Sequence, residues 1–216
     1  MNKRVSEFFA KLLPNRDLKT CATVLMSIFV ISGVFGFLYE TVFYFFNDGE
    51  ILRRGTTFGP YIQLYSWGGL LLFLALYTRR KNPLLVLLAS GLLAGGLEFI
   101  VGYLLYHLGN GYRGWDYNTE IWNWGNIGGY VCFRSVAFFA LSGMLLIYVI
   151  VPLLLKLTDR FGTGVLLIVA AVLTGIYLLD IVYNDILADR LGWMNAREWY
   201  RSIGWKVKEE LVPKAR

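Results

Sequence analysis

The sequence contains little of what soluble enzymes commonly use for metal binding or nucleophilic catalysis. Among its 216 residues there is one histidine, His107, and there are two cysteines, Cys21 and Cys132. A single histidine cannot form a histidine-rich metal site, and the serines of the predicted helices have no candidate base besides acidic residues. The pattern GxxxxGK[ST] is absent, so this chain cannot itself be a P-loop ATPase. We therefore expect no metal site and no bound cofactor.

Polar residues are also too scarce for an ordinary soluble domain. Hydrophobic residues make up 56% of the chain, the mean hydropathy is +0.52 and only 17% of the residues are charged. The 7 Trp and 14 Tyr suit the boundaries between a membrane and water. The net charge of +6 lies in tails and loops, where it fits anionic lipid head groups better than nucleic acid. The composition predicts an integral membrane protein that contacts lipids and does not bind nucleic acid.

Five apolar segments are long enough to cross a bilayer, since a spanning helix needs roughly 20 mostly apolar residues. We therefore predict an all-α, polytopic membrane bundle over residues 22–186 with five transmembrane helices. The amphipathic, basic stretches on either side, residues 1–21 and 187–216, predict interfacial helices. The five predicted spans are residues 22–46, 60–78, 83–107, 132–156 and 163–186.

Apolar residues recur at helical spacing in both flanking stretches, with basic residues between them. Because each stretch adjoins a predicted span, a helix lying in the membrane interface is favoured over an ordinary solvated helix end. The apolar positions are Val5, Phe8, Phe9, Leu12 and Leu13 in the first stretch, and Trp199, Ile203, Val207 and Leu211 against Arg197, Arg201 and Lys208 in the second.

The distribution of Lys and Arg predicts a cytoplasmic N-terminus. With five spans, the N-terminal tail shares its side with the loops at 79–81 and 156–162, and together these hold ten basic residues. The two loops on the other side hold only Arg53, Arg54 and Arg113. The C-terminal tail conflicts with this assignment, because it adds seven basic residues to the outer side. A sixth span or a re-entrant loop within 108–131 would remove the conflict.

Charged side chains within predicted spans are costly and commonly mark a partner or a function. Glycines share the helix face of two of the acids, so these faces are expected to pack inside the bundle. The four charged residues are Glu40, which follows Gly33 and Gly36, Glu98, which lies between Gly91, Gly95 and Gly102, and the pair Arg134 and Asp180.

We expect these charges to gather near one side of the membrane. Successive spans alternate in direction, so Glu40, Arg134 and Asp180 approach the side of the 47–59 and 108–131 loops, with Glu98 deeper. A purely structural role for Arg134, as the counter-ion of one or two acids, is the alternative to a functional site. The candidate binding residues are Glu40, Arg54, Glu98, Asp116, Tyr117, Asn126, Arg134 and Asp180, and Arg53, Glu120 and Asn123 can approach the same region.

Several short stretches occur in an order that resembles a known family. The first span ends in GFLYETVFYFF, and RRGTTFGPYIQLYSWGG, LEFIVGYLLYHL, WDYN, NIGGYVCFRS and IYVIVPLL follow. This order, over residues 28–186, is similar to that of bacterial ABC-transporter type IV proteins, also described as CmpB-like permeases. Arg53 stands where that family usually has Asn, so the chain resembles a divergent member. The matching positions are Glu40, Arg54, Gly55, Gly59, Pro60, Tyr65, Glu98, Trp115, Asp116, Tyr117 and Asp180.

The resemblance implies a transport-related, multi-pass protein of the bacterial cell membrane. A permease-like subunit would need a separate ATPase subunit, and a chain of this size would join that partner or a second copy to enclose a path. Two other functions stay open. One is a membrane-embedded enzyme acting on a lipid or lipid-linked phosphate head group, with Arg54 or Arg134 holding the phosphate. The other is a structural or regulatory subunit whose charges specify helix pairing.

Overall fold

The computed structural model describes residues 3–208 and folds them into an all-α bundle of seven helices. Two of the long helices each contain one wider π turn, at Leu146–Ile150 and Tyr183–Leu187. The helices are α1 (Lys3–Leu12), α2 (Leu18–Asp48), α3 (Gln63–Leu76), α4 (Pro83–Leu108), α5 (Phe133–Phe161), α6 (Thr163–Leu191) and α7 (Ala196–Ser202).

Four of these helices, α2, α4, α5 and α6, are long and apolar enough to cross a membrane. They correspond to four of the five predicted spans, which confirms the membrane bundle. The span predicted at 60–78 is instead α3, which has 14 residues and is therefore about 21 Å long at 1.5 Å per residue. The predicted count of five thus exceeds the four helices of spanning length in residues 3–208. The helix is short because residues 57–62 are held in a loop.

Local sequence fixes where the long helices begin and end. The carboxylate of Asp17 accepts a hydrogen bond of 2.8 Å from the backbone N–H of Thr20 at the start of α2. Gly49 ends α2 with a φ of +75°, a left-handed conformation that favours glycine. At the start of α4, Asn82 caps the helix and Pro83 occupies its first turn. These residues therefore set the start and the end of α2 and the start of α4.

Close packing around α2 depends on glycine. Gly33 leaves room for the hydroxyls of Ser66 on α3 and Tyr177 on α6, which hydrogen bond to each other at 2.9 Å. A Cβ at Gly36 would collide with the ring of Tyr65. These small residues let the backbones approach, as is typical of membrane helices. The predicted glycine-lined face of α2 thus packs inside the bundle.

The N-terminal helix α1 forms as predicted and packs beneath the end of α3. Leu12 and Leu13 are 1% and 2% exposed and join the core that contains Tyr77, just after α3. Phe8 remains about half exposed. The amphipathic pattern therefore produces a helix with one face buried against the bundle. Together with the start of α2 and the α5–α6 turn, α1 makes up what we call the N-terminal end of the bundle.

The C-terminal stretch differs from the predicted single amphipathic helix. Helix α7 ends at Ser202, and Gly204 adopts a φ of +87°. Val207 then pairs with Arg53 in a parallel β-bridge, so it does not continue the helical stripe. Leu211, the last residue of that stripe, lies outside the described residues. The tail therefore returns along the loop that follows α2.

The long loop at 109–132 contains turns and no helix, so the sixth span considered there does not form. The basic tail is instead partly neutralised, because Lys206 pairs with Glu50 at 2.5 Å and Lys208 with Asp48 at 2.7 Å. This loop, the loop at 49–62 and the tail at 192–208 gather at the end of the bundle opposite α1. We call this the site end.

Candidate functional site

The first ion pair of the site end joins a membrane helix to a loop. Arg54 donates from Nε to Glu40 of α2 at 2.6 Å, and its Nη2 lies 3.3 Å from the carbonyl of Gly114. The guanidinium also lies over the ring of Tyr44, 4.5 Å from the centroid. Burial lowers the pKa of Arg54, but Glu40 together with Tyr44 and Glu120 outweighs this, and the net pKa is raised. Arg54 therefore stays charged.

A second ion pair holds the long loop against α5. Arg134 donates to Glu120 at 2.7 Å, and the other oxygen of Glu120 accepts a hydrogen bond of 2.5 Å from the hydroxyl of Tyr44. The guanidinium lies 3.7 Å from the ring centroid of Phe43. Its Nε and Nη1 are buried and have no hydrogen-bond partner among the described residues. The sequence placed Glu120 near this region but did not select it as a candidate.

Glu98 is buried deeper, between α4 and the long loop. Its side chain is 3% exposed, and Tyr117 donates a hydrogen bond of 2.5 Å to its Oε1. Its Oε2 has no partner among the described residues. Burial and the neighbouring carboxyl raise the pKa of Tyr117, so the phenol stays protonated and remains a donor. On the same helix face, Gly102 admits the ring of Trp115.

The carboxylate of Asp180 is fully occupied by protein groups. It accepts hydrogen bonds from the backbone N–H of Phe58 at 3.0 Å, the N–H of Gly59 at 2.8 Å and the hydroxyl of Tyr61 at 2.5 Å. The amide of Asn184 donates to it at 2.7 Å. With these four bonds, Asp180 organises the loop before α3 and has little capacity left for a ligand.

Arg53 also contacts the loop before α3 that Asp180 holds. It is 5% exposed and lies over the ring of Tyr200 of α7, 4.6 Å from the centroid. Burial lowers the pKa of Arg53, an effect that Tyr200 opposes. From one nitrogen, Nη2, Arg53 donates to the carbonyls of Thr57 at 3.0 Å, Phe58 at 3.0 Å and Gly59 at 2.6 Å. The loop is therefore held between the Asp180 carboxylate and the Arg53 guanidinium, and these contacts prevent it from extending α3.

Asp116 and Asn126 shape the long loop itself. Asp116 accepts from the backbone and side-chain nitrogens of Asn118 at 3.0 and 2.7 Å, and from Arg113 at 3.4 Å. Asn126 accepts from the N–H of Gly129, which has a φ of +82°. These bonds are local and close the loop into a compact turn.

A large cavity lies beside these networks, with a volume of about 760 Å³. Of the eight candidate residues, only Glu40 and Arg54 line it. The other six belong to the networks described above and do not line it. Sequence reasoning did not select several of the lining residues, because they come from the tail and from loop positions with no distinctive local pattern. The polar lining is Glu40, Arg54, Thr56, Gln63, Tyr112, Asp185, Arg197 and Lys208, and the apolar lining includes Leu64, Trp67, Leu97, Val101, Leu105 and Trp115.

The family model described as Putative ABC-transporter type IV matches residues 27–184. The chain belongs to this family. The match confirms the resemblance seen in the sequence motifs, and with the four apolar helices it supports a transport-related membrane protein. No curated protein and no solved structure matches the chain.

The ABC-transporter type IV match covers most of the four spanning helices but not the whole cavity. It includes Glu40, Arg54 and the apolar wall on α4, and it ends before Asp185, Arg197 and Lys208. The tail residues of the polar lining, Arg197 and Lys208, therefore lie beyond the matched segment.

Proposed function

We propose that this chain is the permease-like component of a membrane transport system and that it binds its substrate in the cavity at the site end. The observation that carries the proposal is the 760 Å³ cavity, which is lined by both charged and apolar side chains. Small-molecule sites typically measure roughly 300–1,000 Å³ and combine an apolar lining with a few placed polar groups. Membership of an ABC-transporter family supports transport as the purpose of such a site.

The ion pair between Glu40 and Arg54 supplies the polar contacts of the proposed site. Both side chains line the cavity, and each is less than one-sixth exposed. A carboxylate and a guanidinium at this depth are costly unless they are paired with each other or with a ligand. A polar substrate therefore gains binding energy by forming hydrogen bonds with this carboxylate and this guanidinium.

The proposed transporter takes its energy from a separate ATPase subunit, because the sequence contains no P-loop. The N-terminal tail and the loops at 79–81 and 156–162, which together hold ten basic residues, face the bacterial cytoplasm in this proposal. The cavity then faces the outside. A second copy of the chain, or the partner subunit, completes the path across the membrane.

The geometry gives less support to a membrane-embedded enzyme. The buried carboxyl of Glu98 does not line the cavity, and the oxygens of Asp180 are occupied. Glu40, the acid that does line it, is bonded to Arg54. A general acid or base needs a carboxyl within hydrogen-bond reach of the substrate.

A thermal-stability screen of the purified protein in detergent tests the proposal. The compounds are lipids, phosphorylated head groups and cations, and the proteins are wild type, Arg54→Gln and the double variant Glu40→Gln/Arg54→Gln. The double variant removes the ion pair without leaving a lone charge. Arg79→Gln, at the end of α3 remote from the cavity, is the control.

We expect at least one compound to raise the melting temperature of wild type and Arg79→Gln, and to lose this effect in both cavity variants. If no compound acts, or if it stabilises the cavity variants equally, substrate binding in this cavity is wrong.

A further inference from the structure

A second, smaller space lies inside the bundle, between α2, α3, α4 and α5. It has a volume of about 80 Å³, and we call it the crevice. Its lining consists of apolar residues with two glycines, two serines and Tyr65, so a ligand inside it meets mainly hydrocarbon. An apolar cavity of about 150 Å³ accepts benzene. The crevice therefore has room for a segment of a hydrocarbon chain and not for a whole ligand.

The crevice is adjacent to the cavity at the site end. Leu64, in the first turn of α3, and Leu97, near the middle of α4, line both spaces. The cavity also contains the ion pair of Glu40 and Arg54, whereas the crevice is lined mainly by apolar groups. A ligand with its polar part in the cavity can therefore place an apolar part beyond these two leucines.

A buried glycine keeps the crevice open. Gly68 lies buried in α3 and lines the crevice, yet a Cβ built on it would meet no atom within 4 Å. The next residue, Gly69, differs, because its Cβ would collide with the side chain of Ser32 on α2. Protein interiors leave few voids larger than a water molecule. Gly69 thus serves close packing, whereas Gly68 borders a space that a ligand can fill.

The mouth of the crevice faces the membrane. Ile31 of α2 and Leu145 of α5 line the crevice and are 36% and 38% exposed. Both residues lie near the middle of helices of spanning length, which have 31 and 29 residues. The mouth is therefore at the depth of the lipid hydrocarbon, and an apolar chain can occupy it without contacting water.

We propose that the protein binds a lipid-like amphiphile, with the polar head group in the cavity and the hydrocarbon chain running past Leu64 and Leu97 into the crevice. This inference rests on the proposed function and names its substrate class. Hydroxyl groups suit the head group, because a hydroxyl can donate to the carboxylate of Glu40 and accept from the guanidinium of Arg54. The free end of the hydrocarbon chain then lies at the mouth that faces the membrane.

Photo-crosslinking in nanodiscs of dioleoylphosphatidylcholine tests the proposal. The probe is a monoacylglycerol with a diazirine in the middle of its chain, and peptide mass spectrometry locates the adducts. We expect adducts on Leu72 and Leu146, which line the crevice and are only 4% and 6% exposed, so that bulk lipid does not reach them. Adducts confined to outward-facing residues such as Leu92, which is 74% exposed, would overturn the inference.

Two matched pairs of variants locate the hydrocarbon chain. Gly68→Leu should fill the crevice and abolish the crevice adducts, whereas Gly175→Leu, on α6 and outside both linings, should leave them unchanged. Leu97→Trp should block the passage between the two spaces, and its control is Leu92→Trp on the outward face of α4. The second pair keeps the test decisive if Gly68→Leu does not fold. Crevice adducts that persist in both blocking variants would contradict the proposal.

The double variant Glu40→Gln/Arg54→Gln tests the position of the head group. The crevice adducts should be lost in this variant, and adducts that persist would place the head group elsewhere and overturn the inference. If the stability screen finds a ligand for the cavity and the probe labels only outward-facing residues, this inference fails while the proposed function stands. If the screen finds none and the crevice is not labelled, both fail.

Discussion

The two ends of the bundle use polar residues in different ways. At the N-terminal end, Arg16 pairs with Asp159 in solvent-exposed positions, and the hydroxyls of Thr20 and Thr163 lie 3.2 Å apart where α2 and α6 begin. At the site end, the ion pairs Arg54–Glu40 and Arg134–Glu120 are largely buried, and each joins a loop to a helix. Exposed pairs contribute little to stability, whereas a buried charge that loses its partner is strongly destabilising. The stability of the site end therefore depends on its buried ion pairs, whereas the stability of the N-terminal end does not depend on its exposed pair.

The largest difference between the two ends should come from Glu120→Met. This change leaves the buried Arg134 without its carboxylate, and we expect the free energy of unfolding to fall by about 3–5 kcal/mol. Chemical unfolding in detergent measures it. The matched change at the N-terminal end, Asp159→Met, should have no measurable effect. A double variant, Glu120→Met/Arg134→Met, should recover most of the loss, and a double variant as unstable as the single one would argue against the ion-pair explanation.

A smaller difference should come from removing one hydroxyl at each end. Tyr117→Phe leaves the carboxyl of Glu98 buried without its donor, which should cost roughly 1–3 kcal/mol. Thr163→Val, at the N-terminal end, removes a hydroxyl that hydrogen bonds to Thr20 in a partly buried position, and should cost less. The same unfolding assay compares them. Equal losses in the two variants would show that the Tyr117 bond has no special weight.

Glycine packing gives a third comparison. Gly36→Ala should cost about 1–3 kcal/mol, because the added methyl collides with the ring of Tyr65. At the N-terminal end, a Cβ at Gly164 meets no atom within 4 Å, so Gly164→Ala should be neutral or stabilising by up to about 1 kcal/mol. Melting temperatures in detergent distinguish the two. A neutral Gly36→Ala would mean that the ring of Tyr65 moves away at no cost.

The smallest effect should come from an exposed pair at the site end itself. Lys206 pairs with Glu50, and their side chains are 66% and 48% exposed. We expect Lys206→Gln to cost below about 1 kcal/mol and this cost to disappear at high salt. A salt series of unfolding curves measures it. A large, salt-independent loss would show that burial does not explain the contrast between the ends.

The sequence predicted the helices and the inward-facing acids well, for identifiable physical reasons. Apolar length predicts spans, and glycines that share a face with Glu98 or Glu40 predict burial. The same reasoning overestimated the span at 60–78, because hydropathy does not reveal that Arg53 and Asp180 hold residues 57–59 in a loop. Distant contacts between side chain and backbone decide that boundary.

The cavity could not be predicted from local patterns. Arg197 looks like the polar face of an interfacial helix, and only the folded chain brings it to Gly55. Glu120 looks like one polar residue among many in the 109–132 loop, and its partner Arg134 lies in the helix that follows. Residues of this kind are identified by their spatial neighbours, which periodicity along a sequence does not encode.

The β-bridge between Arg53 and the tail has a consequence for biosynthesis. Arg53 donates its N–H to the carbonyl of Lys206 and accepts from the N–H of Lys208, at 2.8 and 3.1 Å. Three of the four helices of spanning length, α4, α5 and α6, are translated between these partners. The nascent loop after α2 must therefore wait, with this backbone edge open, until the ribosome has delivered the tail. The tail residues of the cavity lining can take their places only after that.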